Sequence, residues 1–180
     1  IVAVHLTRPP IEIPDREALG MATHLDAAKG AYIIKEYDMN RPKEGLVIVR
    51  GTSSTNSLVE ILPKLKLKGP NVKVVAAISW ELFQQQTEGY RQSTISNQEW
   101  MDAMVITNGA KRLMHKWIAN RVVEEYSMSP DFDNRWRSGG SLDEIIAESK
   151  LDSESVWEGI NQFARSRKQR LASIQESIPE

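Results

Sequence analysis

The sequence predicts an α/β fold: a mostly parallel sheet with helices on its faces. Three observations carry this expectation. Strand-like apolar runs stand at 31–37, 46–50, 72–78 and 102–107. Those at 46–50 and 72–78 are near-continuous, as in strands covered on both faces. Helix-start chemistry or helical apolar spacing follows three of them, and alternation of this kind builds a sheet between helices.

Taken in order, Ile1–Thr7 reads as a short strand, ended by Arg8-Pro9-Pro10 because proline cannot donate to a ladder. A strand at the first residue, with no initiator methionine, leads us to expect that an N-terminal part precedes it. The stretch 11–30 carries Pro14, Gly20 and Gly30 without a clean period and reads as a connector, with a few helical residues around Asp26–Lys29. The domain boundary is expected near Gly30. Ala31–Tyr37 and Leu46–Arg50 are strands. Gly51-Thr52-Ser53-Ser54 then turns into a helix with Leu58, Ile61, Leu62 and Leu65 at i, i+3, i+4, i+7. Pro63 should kink or interrupt that helix, and Gly69-Pro70 should stop it.

Val72–Ile78 is the next strand, Ser79-Trp80-Glu81 starts a short helix, and Asp102–Thr107 is a fourth strand. A helix is expected around Ala110–Ala119, with Leu113, Met114 and Trp117 on one face. Ser141-Leu142-Asp143-Glu144 fits a capping box. Val156, Trp157, Ile160, Phe163 and Ala164 form the apolar stripe of a final helix, which Leu151 and Val156 would staple around Asp152. The polar tail Ser166–Glu180 should fray. Arg165, Arg167, Lys168 and Arg170 would complement the negative dipole end of the last helix.

Composition bounds the function. The 180 residues, 41% hydrophobic and 26% charged, can bury one domain plus a remnant of another. A net charge of −1 gives no global basic field to bind nucleic acid. Apolar runs reach about six residues, far short of the ~20 that span a bilayer, and no charged start with an apolar stretch marks a secretory signal. The lack of cysteine excludes disulfides and thiolate metal sites and fits a reducing, cytoplasmic setting.

Candidate chemistry is sparse. His5, His24 and His115 have no ligand spacing between any two. Gly51-Thr52-Ser53-Ser54-Thr55 superficially resembles a nucleophile elbow, but Thr55 stands where the second glycine is needed. The same turn at a helix start is suited either to an anion or to simple capping by small hydroxyl residues. Asp131-Phe132-Asp133-Asn134 does not make a calcium loop, because Leu142 falls where a bidentate glutamate is required. Arg135 and Arg137, ahead of Gly139-Gly140, could receive a carboxylate or phosphate, although two solvated arginines on a surface loop is the favoured reading. A sheet domain with no self-contained catalytic set points to an accessory domain of something larger.

One resemblance is specific. Val72–Phe83 followed by Gln84-Gln85-Gln86-Thr87-Glu88-Gly89-Tyr90-Arg91-Gln92-Ser93 resembles the C-terminal domain of transketolases in the spacing of Phe83, Gln86, Tyr90, Arg91 and Ser93. Leu46–Ser54 is similar to the family's preceding strand and turn, and Leu142–Arg165 to its terminal helices. Val4-His5-Leu6-Thr7-Arg8 looks like the end of the middle, pyrimidine-binding domain. Two loops depart from the family pattern: Gly51-Thr52-Ser53-Ser54 stands where Gly-Ser-Glu is usual, and Arg135–Ser141 where many members have an Arg-Phe-Gly-Ala-Ser type segment. No ligand role is carried onto either.

The resemblance implies a three-layer, open, twisted, mostly parallel sheet of about five strands. It implies a middle-domain remnant at 1–10, a connector at 11–29 and the C-terminal domain at 30–180. In the intact enzyme of the pentose phosphate pathway, thiamine diphosphate with Mg2+ or Ca2+ transfers a two-carbon ketol unit between sugar phosphates. Arg8 is the position that matches an arginine on the substrate phosphate, a role suited to a guanidinium fork. No catalytic, cofactor or metal residue is carried over, and this portion alone is expected to bind no cofactor and to be inactive. Its partners would be the N-terminal and middle domains and a second copy in a homodimer, with no nucleic acid and no membrane. A regulatory small-molecule site at the sheet's carboxyl edge is the alternative. The equivalent domain of a 2-oxoacid dehydrogenase or deoxyxylulose phosphate synthase is another, less favoured by Tyr90-Arg91-x-Ser93.

Overall fold

Four five-residue strands pair in the order β1-β3-β2-β4. The computed structural model describes residues 12–135, 137 and 139–177; the expected strand Ile1–Thr7 and Arg8 lie outside them. The strands are β1 (Ala31–Lys35), β2 (Leu46–Arg50), β3 (Lys73–Ala77) and β4 (Ala103–Thr107). Parallel pairing sets Leu46 beside Lys73 on one side and Ala103 on the other. β1 is the antiparallel edge, with Ala31 opposite Ala77 and a shift in register between Ile33 and Lys35. About five strands are expected; the described residues hold four, plus a single parallel bridge of Met128 to Ile106 on the outer side of β4.

The helices are α1 (Thr52–Lys68), α2 (Trp80–Gln84), α3 (Glu88–Thr94), α4 (Asn97–Met101), α5 (Arg121–Glu124), α6 (Leu142–Glu148), α7 (Ser153–Arg165) and α8 (Arg167–Glu176). They make three layers with the sheet. On one face Val47, Val49, Val74 and Ile106 meet Leu58, Leu62 and Leu65 of α1 and Val156, Ile160 and Phe163 of α7. On the other, Leu46, Ile48, Val75 and Val105 meet Phe83, Ile95, Met114 and Trp117. Alternate residues of each strand point to opposite faces, so both faces being covered explains why β2, β3 and β4 read as unbroken apolar runs. The second face is sealed by aromatic packing: the Trp117 ring stands edge-on to Trp80 at 5.0 Å and stacks on Phe83 at 5.8 Å.

Local chemistry sets the helix starts. Ser79, Thr87, Ser96, Asn120, Ser141 and Asp152 each accept from a backbone N–H of the first turn. The capping box of Ser141 and Glu144 forms as expected, and Ser96 with Glu99 makes a second. Leu151 and Val156, flanking the Asp152 cap, are both buried in the same core.

Three expectations are corrected. Pro63 does not interrupt α1, which runs through it to Lys68. A helix-interior proline costs about 3 kcal/mol, whereas Leu58, Ile61, Leu62 and Leu65 are all buried at about 1.5–3 kcal/mol each; burial wins. The segment 110–119 is not one helix but a 3-10 turn, Lys111–Met114. Met114 and Trp117 are buried while Leu113 is 61% exposed. The Trp117 carbonyl accepts from Trp100 Nε1 at 3.0 Å, so it is spent across the layer rather than along a helix. Finally, the described part of the tail is helical rather than frayed. Ser166–Ser177 carries α8, and its arginines are not spent on the dipole of α7. Arg170 is 1% exposed, donates through Nε to Asp102 Oδ1 at 2.8 Å and lies 3.6 Å over the Phe163 ring. Arg167 takes the other oxygen of Asp102 at 2.7 Å.

Candidate functional site

The chain leaves β2 toward β3, yet β4 lies on β2's opposite side. Loops after β2 and β4 therefore diverge, and such a divergence opens a crevice at the carboxyl edge of an α/β sheet. Gly51–Ser54 follows β2 and Asn108 follows β4 at that edge. Gly51 has φ of 95°, a conformation that glycine accepts without strain. A Cβ there would meet Asn108 Oδ1 at 1.7 Å. The Asn108 carboxamide thus sits against the first turn of α1 and donates from Nδ2 to Ser53 Oγ at 3.0 Å. Neither reading of this turn is met: no side chain caps α1, and the Asn108 carboxamide stands against its first turn. Ser54 Oγ is buried and has no hydrogen-bond partner among the described residues.

Beyond Asn108 lies a cavity of about 330 Å³, with Ala110, Pro130, Ile145 and Leu151 as apolar walls and Asp131 and Ser149 as polar ones. Ser149 is 3% exposed, and its Oγ is unpartnered among the described residues. Asp131 accepts twice from Lys111 N–H at 3.2 Å. Burial alone would raise its pKa, but hydrogen bonds to the charged form outweigh that and lower it. The two arginines of this loop carry little free charge. Arg135 Nε reaches Asp133 Oδ2 at 2.7 Å, and Arg137 reaches Asp133 Oδ1 at 2.8 Å and Glu148 at 3.4 Å. Arg135, with Arg137 behind it, holds the Asp133 carboxyl well below its usual range. Arg137 is not solvated as the sequence reading favours, since its side chain is only 10% exposed.

The side chains of the Tyr-Arg-x-Ser segment bond within their own domain, with Tyr90 and Arg91 half-buried and Ser93 exposed. Tyr90 Oη donates to the Ala31 carbonyl at 2.8 Å, pinning α3 to β1. Arg91 donates to Gln84 Oε1 at 2.9 Å and pairs with Glu88. Ser93 Oγ donates to the Tyr90 carbonyl and Gln86 Nε2 to the Leu82 carbonyl, both at 2.9 Å. These residues build the domain. No sequence signal separates such pins from ligand contacts, because the same donors serve both.

The family model of the transketolase-like C-terminal domain matches residues 30–129, more than half of the chain. The chain belongs to the transketolase C-terminal domain family. A transketolase of Nostoc sp. (strain PCC 7120) is 29% identical over 131 residues, covering 69% of this chain and 19% of that protein. The chloroplastic transketolase of Solanum tuberosum is 37% identical over 71 residues, covering 38% and 9%. Among solved structures, the transketolase of Leishmania mexicana superposes with a TM-score of 0.59 at 15% identity, over 81% of this chain and 19% of that one. The Pichia stipitis enzyme, in complex with sedoheptulose 7-phosphate, gives 0.57 at 19% identity over 84% and 20%. These likenesses place the fold among transketolase C-terminal domains. The chain spans about a fifth of the length of the transketolase from Nostoc and less of the potato enzyme. No helix among the described residues is long and apolar enough to cross a membrane.

Among the described residues there is no fitting donor set for the diphosphate–metal pair expected of transketolases. No group of three histidine or carboxylate side chains gathers among the described residues, and the start of α1 is occupied by Asn108. Arg8, the sequence candidate for a substrate phosphate, lies outside the described residues.

Proposed function

We infer that this chain is the C-terminal part of a transketolase, with the middle domain's last strand at 1–10, a connector at 11–29 and the C-terminal domain at 30–180. In the whole enzyme, thiamine diphosphate with Mg2+ or Ca2+ supplies the carbanion chemistry of ketol transfer between sugar phosphates. This portion supplies packing for the other domains and for a homodimer. The observation that supports the structural role is that the signature's side chains Tyr90, Arg91 and Ser93 all bond within the domain, Tyr90 tying α3 to β1. Calorimetric titration of the chain with thiamine diphosphate and magnesium should give no saturable heat; micromolar binding would overturn the reading. Sedimentation across a concentration series should show reversible self-association if the dimer surface extends onto this portion.

Arg8 is read as a contact to the sugar phosphate. In the whole enzyme, Arg8→Ala should raise KM for phosphorylated substrates at least tenfold, as expected for one charge-assisted pair worth about 1.5–3 kcal/mol. Unchanged KM would remove Arg8 from the site. A second reading, a regulatory pocket at the carboxyl edge, is favoured by the unpartnered Ser149 Oγ in the cavity behind Asn108. A thermal-shift screen of phosphorylated metabolites separates the two, since no shift across the set leaves the structural role alone.

A further inference from the structure

A second cavity, of about 350 Å³, opens at the free edge of β1. It is walled by β1, the loop after it, Gly20 of the connector and the last turns of α1, and it gathers three cations: Lys35, Arg41 and Lys66. Each cation is anchored by backbone carbonyls. Lys35 Nζ donates to Val72 O at 2.8 Å and Glu36 O at 3.1 Å, Arg41 Nη2 to Gly69 O at 2.8 Å, and Lys66 Nζ to Leu19 O. Carbonyls fix the position of a cation but do not neutralise it. Three ammonium donors and five guanidinium donors leave N–H groups over at every one of them.

Two carboxylates, Glu36 and Asp38, also line the cavity, against its three cations. Glu36 accepts from Tyr37 N–H at 3.0 Å and lies 3.7 Å from Lys73. Asp38 accepts from Asn40 N–H at 2.9 Å. Among the described residues no carboxylate comes within 4 Å of Lys35 or Lys66, and Arg41 reaches only Glu44, at 3.9 Å. Lys35 is 9% exposed. Burial first, then the charges of Arg41 and Lys66, push its pKa down against the opposing pull of Glu36 and Asp38. A bound anion would relieve that repulsion.

We propose that this β1-edge cavity is an anion site, taking a phosphate dianion or a small phosphate monoester between Lys35, Arg41 and Lys66. The proposal is independent of the role inferred for the domain. The test is calorimetric titration of the chain with inorganic phosphate, and separately with glycerol 3-phosphate, in chloride adjusted to constant ionic strength. Saturable binding is expected. Arg41→Gln and Lys66→Gln, both on the exposed rim, should each weaken it at least fivefold, and the double variant at least tenfold, with tryptophan fluorescence unchanged. A tighter monoester than phosphate would mark an esterified ligand, and the reverse a free anion; both uphold the site. No saturable heat, or equal affinity in the wild type and the rim variants, would overturn it.

Discussion

Arg170 is among the most enclosed side chains of the molecule, and it is charged. Burial lowers its pKa despite Asp102, yet a guanidinium in a protein keeps its proton. Its charge is matched by Asp102, itself 4% exposed, and its plane by the Phe163 and Tyr126 rings. Removing one partner of such a pair strands the other without water. Arg170→Leu should therefore cost about 3 kcal/mol in urea unfolding, at the lower end for broken buried pairs because Arg167 still holds Asp102. A loss below 1 kcal/mol would show that Arg167 carries the pair. Gly51 is the second exacting position. Gly51→Ala combines a left-handed φ with the collision at Asn108, and should lower stability by about 2 kcal/mol. In an Asn108→Ala background the collision is absent, so the same substitution should cost measurably less. The glycine at the turn was legible in the sequence; its partner was not, because no local pattern links residues so far apart in the chain.

At the scale of elements, what was legible is whatever a short window encodes. The strands Leu46–Arg50 and Ala103–Thr107, the Ser141 capping box and the α7 stripe all follow from spacing or cap chemistry. The tail and 110–119 do not, because tertiary contacts decide them: a buried arginine looks like a solvated one in a polar segment, and a tryptophan carbonyl taken by another tryptophan leaves no periodic trace. Pro63 misleads for the same reason, its cost being visible and the burial around it only partly so. Pro63→Ala should raise stability by about 1–3 kcal/mol by restoring the missing N–H and relieving the ring clash, measured by the urea midpoint. No gain would mean that α1 is already shaped around the ring. The loop 131–137 responds instead to acid. The Asp133 pKa is depressed by Arg135 and Arg137, so its contribution is complete above the ordinary carboxylate value of 3.8 and is lost as pH falls toward the folded-state pKa. Amide exchange in this loop should quicken below about pH 4, and Asp133→Asn should remove that dependence. An Asp133 carboxyl titrating at the ordinary value by NMR would sink the account.

For the molecule as a whole, the family match and the folding unit have different extents. The match ends at residue 129, after the last bridge to β4, whereas the α1 face of the sheet is closed by α7 at 153–165. Val156, Ile160 and Phe163 are each fully buried there, at about 1.5–3 kcal/mol apiece. Their sum is comparable to the whole 5–15 kcal/mol that separates a folded domain from its unfolded chain. Gly45 tightens the dependence, since any Cβ there would strike Phe163 at 2.5 Å; the loop before β2 is shaped for a ring from α7. Residues 30–129 on their own should therefore have no cooperative thermal transition and a collapsed amide spectrum, while 30–180 should melt in a single transition. Adding a peptide of residues 141–177 to the 30–129 fragment should restore dispersion in a concentration-dependent way. A cooperative melt of 30–129 alone would show that the sheet with its aromatic face suffices, and that α6, α7 and α8 are an addition to a self-standing core rather than its second wall.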